Sequence, residues 1–439
     1  MLTPDLDIPF RKEVLDNGLQ VVVHEDHSCP IVAVNLWYHV GSKNEAAGRT
    51  GFAHLFEHLM FEGSAHHDSG YFEPLQQAGG TLNGSTNTDR TNYWEVVPAN
   101  ALELALWMES DRMGFLLPAL TDQKFHNQRD VVLNERRQNY ENRPYGMAGF
   151  AMHEALFPQE HPYHWSTIGS PADLRAATID DVRAFFRRFY HPVNASLAIA
   201  GDVEPGRALD LAAAYFGDIP PGEPPAAVPR APARACPSRC VIEDRVELPR
   251  LYLGWLSPAM YADGDAELDL LADVLSAGKA SRLYRALVYE RRIATDASAY
   301  QGSRELGSAF QIAVTAVPGV GLDVLECAIQ EEVARVRAAE VSADELARTL
   351  ALTETAFVSR LQTVGGFGGK SDQLNSYNVF LGDPGYFSRD IDRYRNTDGA
   401  RVRAAADTHL DPACCVTLSV VPAGERRLAA PDSELVVMT

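Results

Sequence analysis

The chain has 439 residues, 46% of them apolar, and a formal net charge of −20. That length suits two domains of about 200 residues better than one, and the apolar share supplies sizeable cores. The negative balance argues against nucleic acid or an anionic membrane surface as partner, and no run approaches the ~18 apolar residues of a membrane-crossing helix.

The first residues, Met1-Leu2-Thr3-Pro4-Asp5-Leu6-Asp7, lack the basic and apolar regions of a signal peptide. The expectation is a cytoplasmic protein, with the periplasm as the alternative should a leader have been removed. Strands are predicted near 13–25 and 31–40. His54-Leu55-Phe56-Glu57-His58 follows. Residues four apart share a helix face, so His54 and His58 can offer two imidazoles to one metal ion. Glu57 projects over the same side and can handle a proton on a water there. Two nitrogen donors, one carboxylate and an open coordination position are the ingredients of metal-assisted hydrolysis. The order His-x-x-Glu-His is the inverted zincin signature. With 13 histidines in the chain, the pentapeptide alone is a weak signal. Its context strengthens it, because Leu55, Phe56, Leu59, Met60 and Phe61 make a helix apolar on nearly all sides, hence buried. Two histidines and a glutamate inside such a helix are costly unless paired or metal-bound.

His66-His67 lies in a polar stretch and is expected to be exposed. Leu82-Asn83-Gly84-Ser85-Thr86-Asn87-Thr88 is polar and short of side-chain bulk. It reads as an exposed strand edge to which an extended peptide can add by main-chain hydrogen bonds, through Asn83, Gly84, Ser85 and Thr86; a plain surface loop is the alternative. Tyr93 and Trp94, in the alternating run 91–97, read as strand packing. A helix is predicted from about Asp122 to Asn142, stopped by Pro144. A catalytic metal site of this kind wants a third protein ligand. One face of that helix carries Phe125, Gln128, Val132 and Glu135, but spacing alone does not choose Glu135 over Glu141 or Glu109.

The sharpest change of composition is the proline-rich stretch from Ile219 to Pro237, which reads as a semi-rigid linker. It divides the chain into 1–218, a linker over 219–238, and 239–439. Each half opens with strands, continues through helices and closes on an apolar strand, 195–201 in the first and 415–421 in the second, so the element order repeats. Gly365-Gly366-Phe367-Gly368-Gly369-Lys370-Ser371 imitates a phosphate-binding loop, but Val364 stands where the pattern needs its first glycine. It reads as a hinge or loop near the cleft. Six cysteines give no convincing disulfide framework, and reduced, mostly buried thiols are expected.

Glu135 lies 77 positions after His58. That distance, with the inverted motif, resembles the pitrilysin (insulinase) family of zinc peptidases. So do Leu15-Asp16-Asn17-Gly18-Leu19, the run from Ala78 to Thr86, and Gly382-Asp383-Pro384-Gly385-Tyr386. The resemblance implies an α+β fold of two homologous α/β domains, each a mostly antiparallel sheet with helices packed on one face, the zinc-bearing one first. It implies one zinc ion per chain on His54, His58 and Glu135, with Glu57 as general base in the hydrolysis of peptides or unfolded polypeptides. Seven residues before the metal glutamate the family usually has a second glutamate; here Gln128 stands there, as a residue behind the ligands. The family's Asn-Ala substrate pair is matched by Asn83-Gly84. The half without metal usually supplies an Arg and, seven residues later, a Tyr. Counted from Ser281-Arg282-Leu283-Tyr284, these positions hold Val288 and Thr295, while Arg282 and Tyr289 fall about six residues too early. A chain of this kind resembles the catalytic subunit of a heterodimer whose related, metal-free partner supplies Arg and Tyr. A homodimer is the second choice of assembly, and a non-catalytic core or assembly subunit is the alternative function.

Overall fold

The computed structural model describes residues 7–229 and 237–438. Two six-stranded sheets form. The first comprises β1 (Arg11–Val14), β2 (Gln20–Glu25), β3 (Ile31–Tyr38), β4 (Thr81–Thr86), β5 (Thr91–Pro98) and β6 (Ala195–Gly201), in the order β1-β2-β6-β3-β5-β4. The second comprises β7 (Ser238–Asp244), β8 (Arg250–Ser257), β9 (Ala294–Gly302), β10 (Ser308–Ala316), β11 (Val416–Pro422) and β12 (Glu434–Leu435), in the order β12-β7-β11-β8-β10-β9. Only β2–β6 is parallel in the first sheet, whereas β7 runs parallel to both β11 and β12 in the second. Without the outermost β1 and β12 the two orders coincide, with β2 and β6 corresponding to β7 and β11. The repeat expected from element order is therefore present as two mixed, mostly antiparallel sheets with helices.

The compact units are not contiguous stretches of chain. One is built from residues within 1–134, 166–229 and 356–389, the other from residues within 135–165, 230–355 and 390–439. In the first unit, β3 and β6 are buried along nearly their whole length, so both sheet faces are covered. Alternate residues of a strand point to opposite faces. Asn35 and Trp37 face the Lys370–Leu381 helix, while Val32, Val34 and Leu36 face the other way, where the Leu102–Ala119 and Pro205–Phe216 helices pack on the sheet.

The interface with the Lys370–Leu381 helix is polar. Trp37 Nε1 and Asn92 Nδ2 donate to Asp372 Oδ1 at 3.0 and 3.1 Å. Asn375 Nδ2 donates to the Asn35 carbonyl at 2.7 Å, and Ser196 Oγ donates to Asn375 Oδ1 at 2.7 Å. In this unit the Lys370–Leu381 helix thus covers the sheet face opposite the Leu102–Ala119 and Pro205–Phe216 helices. Asn35, Asn92 and Ser196 are buried polar residues, and a helix distant in sequence pairs each of them, as buried polar groups require. In the second unit the Ala148–Leu156 helix plays the same part, packing Ala148, Ala151, Met152 and Leu156 against Ile242, Val416, Leu418 and Val420.

The glycine-rich loop at 365–369 is explained by close approach. A Cβ on Gly365 would stand 2.5 Å from the Ala33 side chain and 2.6 Å from that of Val96. Its phosphate-like donors are already engaged: Gly368 N–H donates to Asp372 Oδ2 at 2.8 Å and Lys370 Nζ to Asp26 Oδ2 at 2.5 Å. Residues 220–229 of the proline-rich stretch form neither helix nor strand, and 230–236, with Cys236, lie outside the described residues. The remaining five cysteines are free, and Cys29, Cys327 and Cys414 are exposed, contrary to the expectation of mostly buried thiols. No helix among the described residues is long and apolar enough to cross a membrane.

Candidate metal centre

The His-x-x-Glu-His segment lies on the helix Phe52–Leu59, which buries Phe52, Ala53, Leu55, Phe56 and Leu59 and leaves His54, Glu57 and His58 half-buried on the remaining face. Its start is built by residues that the sequence reading did not single out. Gly51 takes φ 90°, a left-handed conformation that favours glycine. The Glu45 carboxylate accepts from Gly51 N–H at 2.9 Å and Ala53 N–H at 2.8 Å, capping the first turn in place of a local side chain. Burial pushes the Glu45 carboxyl up to about 8, against the pull of these backbone donors. Asp173 fixes the residue before, accepting from Thr50 N at 3.0 Å and Thr50 Oγ1 at 2.6 Å.

The third candidate ligand sits in the last turn of the helix Asp122–Arg136, whose residues 122–134 belong to the first unit. Ligand atoms of His54, His58 and Glu135 all lie within 4.8 Å of one another, and the three residues are half-buried. The geometry thus selects Glu135 where spacing left Glu141 and Glu109 open. Glu109 is fully buried in an ion pair with Arg112, and Glu141 binds Arg136 Nε at 2.9 Å. The predicted helix to Asn142 ends instead in a π-helical turn, Arg137–Glu141. Such turns cluster at functional sites, and here Asn139 Nδ2 donates to Glu135 Oε1 at 3.2 Å.

Gln128, two turns before Glu135, meets His58 directly: its Oε1 stands 3.2 Å from His58 Nδ1. With that oxygen as acceptor, Nδ1 carries the proton and Nε2 keeps its lone pair, as a ligating histidine requires. Two imidazoles and a carboxylate at this separation, one imidazole oriented from behind, fit a zinc ion.

The β4 edge is present. β4 ends the first sheet, and Thr81 and Asn83 are exposed. A Cβ on the buried Gly84 would stand 3.1 Å from the rings of Phe61 and Tyr93, so the missing side chain lets β4 approach the segment that follows His58. Asn83 Oδ1 accepts from Gly84 N–H at 2.8 Å, and Ser85 Oγ donates to Asn92 Oδ1 at 2.7 Å. The sequence reading missed Arg90. Its guanidinium donates to the Ser85 carbonyl at 2.8 Å and to Ser85 Oγ at 2.6 Å, and it lies 5.1 Å over the Trp37 ring. Burial lowers its pKa, and the charges of Asp372 and Glu57 oppose that. Arg90 therefore braces the edge strand within the field of Glu57. No motif marks it, since the signal is three-dimensional.

His66 is exposed as expected and is held by Asp111 Oδ1 at 2.5 Å, while His67 is half-buried beside Trp107. In the second unit, Val288 packs against the core and Thr295 bonds the neighbouring Asp296 at 3.0 Å. Arg282 is committed to Glu345 through two hydrogen bonds of 2.7 and 2.8 Å, and Tyr289 is 72% exposed.

Residues 20–165 match the family model described as Insulinase (Peptidase family M16), and residues 176–352 match the one described as Peptidase M16 inactive domain. Among curated proteins the chain is 30% identical over 363 residues to the zinc protease PqqE of Helicobacter pylori, covering 81% of each chain. Among solved structures it is similar to a protease from Helicobacter pylori, at 26% identity and TM-score 0.86 over 95% of this chain and 100% of that one. It also matches the periplasmic protease PqqL from Escherichia coli at 18% identity and TM-score 0.79, over 98% of this chain but 50% of that one.

Proposed function

Because the chain belongs to the M16, or insulinase, family of peptidases, we propose that it is a zinc-dependent endopeptidase, the catalytic subunit of a two-subunit chamber acting on peptides or unfolded polypeptides. The observation that carries this reading is the convergence of His54, His58 and Glu135 within 4.8 Å, on helices that also carry Glu57 and Gln128. His54, His58 and Glu135 would hold one zinc ion. Zinc bound there supplies a Lewis acid that acidifies water and polarises a peptide carbonyl. Glu57 takes a proton from the attacking water and returns it to the departing amine. Asn83, Gly84, Ser85 and Thr86 pair with the extended substrate backbone, which implies loose sequence preference, and Arg90 keeps that edge in place.

The assembly follows from what the second half lacks. Val288 and Thr295 can neither hold substrate nor stabilise an oxyanion, so a related subunit of similar size supplies the Arg and Tyr; a homodimer is the second choice. That the chain aligns with half of a longer protein of the same fold supports a doubled architecture. Among the described residues five cysteines are free, which supports the cytoplasm as compartment, with the periplasm as the alternative. The match of 176–352 to an inactive-domain model favours one other reading, a non-catalytic core subunit. Against it stands the intact set of His54, Glu57, His58 and Glu135, which drift would spoil. The zinc-loaded chain, given a quenched fluorescent peptide library, is expected to cleave only together with an Arg/Tyr-bearing partner. Full activity of the chain alone would remove the heterodimer, and inactivity in both states would favour the core subunit.

A further inference from the structure

Gln128 poses a problem that a glutamate in its place would not. A carboxylate behind a ligating histidine can only accept, so it fixes the imidazole with Nδ1 protonated and Nε2 open. An amide is ambidentate. Turned one way, its Oε1 accepts from His58 Nδ1–H; turned the other, its Nε2 donates to Nδ1 and forces the proton onto Nε2, the atom needed for a metal. His58 and Gln128 alone do not decide between these states.

The structure contains the group that decides. Gln128 Nε2 donates to Glu62 Oε1 at 2.5 Å, while Gln128 Oε1 faces His58 Nδ1 at 3.2 Å. Glu62 lies one helical turn past His58, where the helix has ended in tight turns (Glu62 N–H donates to the Leu59 carbonyl at 3.1 Å). A carboxylate there has only acceptors to offer, so the amide presents its NH2 to Glu62 and its oxygen to His58.

We infer that Glu62 is a positioning residue for the metal centre: through Gln128 it selects the amide orientation, and hence the His58 tautomer, that leaves Nε2 open for zinc. This deepens the zinc reading proposed above and rests on it. The negative charge stands one side chain outward from the amide that touches His58. Two residues share the work of one, and neither substitution is neutral without the other.

The test exchanges the two side chains. Zinc affinity of the full chain is measured by competition with a chromogenic chelator for the wild type, Glu62→Gln, Gln128→Glu and the double variant. The His58 tautomer is read in the metal-free chain from its imidazole nitrogen shifts. Glu62→Gln leaves two ambidentate amides in series and is expected to weaken zinc about 10-fold, within the usual range for groups behind a ligand, and to convert an Nδ1–H imidazole into a mixture. The double variant Glu62→Gln/Gln128→Glu puts a carboxylate directly on His58 and is expected to restore both. Equal losses with either residue at position 128, or a tautomer insensitive to Glu62→Gln, would overturn the relay. A wild-type chain that binds no zinc yet shows the tautomer shift would retain the relay and reject the zinc reading, so the two failures are separable.

Discussion

Replacing Glu57 by glutamine is expected to lower peptide turnover by ~10²–10⁴-fold, the usual contribution of a positioned proton carrier, while leaving one zinc ion per chain. Glu57 shares the half-buried face of the Phe52–Leu59 helix with both histidines, but the three candidate ligands are His54, His58 and Glu135. The amide keeps the size and polarity of the carboxyl and loses only the ability to take a proton. The comparison is made in whatever assembly the wild type cleaves, with metal content measured on the same samples. Loss of zinc from the variant would make Glu57 a ligand, and unaltered turnover would remove it from the chemistry.

Arg112→Met is expected to cost about 3–5 kcal/mol of stability, the usual consequence of removing one partner of a buried ion pair. Arg112 is fully buried, donates through Nε to Glu109 Oε2 at 2.8 Å and through a terminal nitrogen to Glu95 at 3.3 Å. It lies 4.2 and 4.1 Å from the rings of Tyr71 and Tyr93. One cation faces two carboxyls, and burial, reinforced by the Glu109 charge, pushes Glu95 well above its ordinary 4.5. The sign of the pH effect follows: the contribution of Glu95 is fully present below about 4.5 and is lost as pH rises through its raised value. Denaturant unfolding at several pH values reads both effects. Glu95→Gln should flatten part of the fall toward alkaline pH, and a loss under 1 kcal/mol for Arg112→Met would show that the cluster is not a keystone of this unit.

The features that sequence made legible are local ones. The His-x-x-Glu-His face needs only helical periodicity, and the β4 edge needs only a polar, small-residue run beside an alternating strand. Glu135 was one of three glutamates until family spacing singled it out, because a third ligand comes from a helix whose approach no local rule encodes. The burial of the polar residues Asn35, Asn92 and Ser196 is illegible in sequence for the same reason: their partners, Asp372 and Asn375, lie far along the chain on a helix contributed by the other half of the sequence. Glu45, Glu62 and Arg90 carry no motif. Each acts by reaching a backbone or an amide that only folding brings near, Glu45 at the start of the helix of His54 and His58, Glu62 behind Gln128, and Arg90 along β4. Local patterns thus specified the chemistry, and long-range pairing specified how it is held.

The most direct test of the account is the zinc content of the purified full chain by elemental analysis after dialysis against metal-free buffer, beside His58→Ala and Glu135→Ala. One zinc per folded wild-type chain, lost in both variants, is the result the geometry of His54, His58 and Glu135 predicts. A folded wild-type chain without zinc, or zinc retained in both variants, would contradict it.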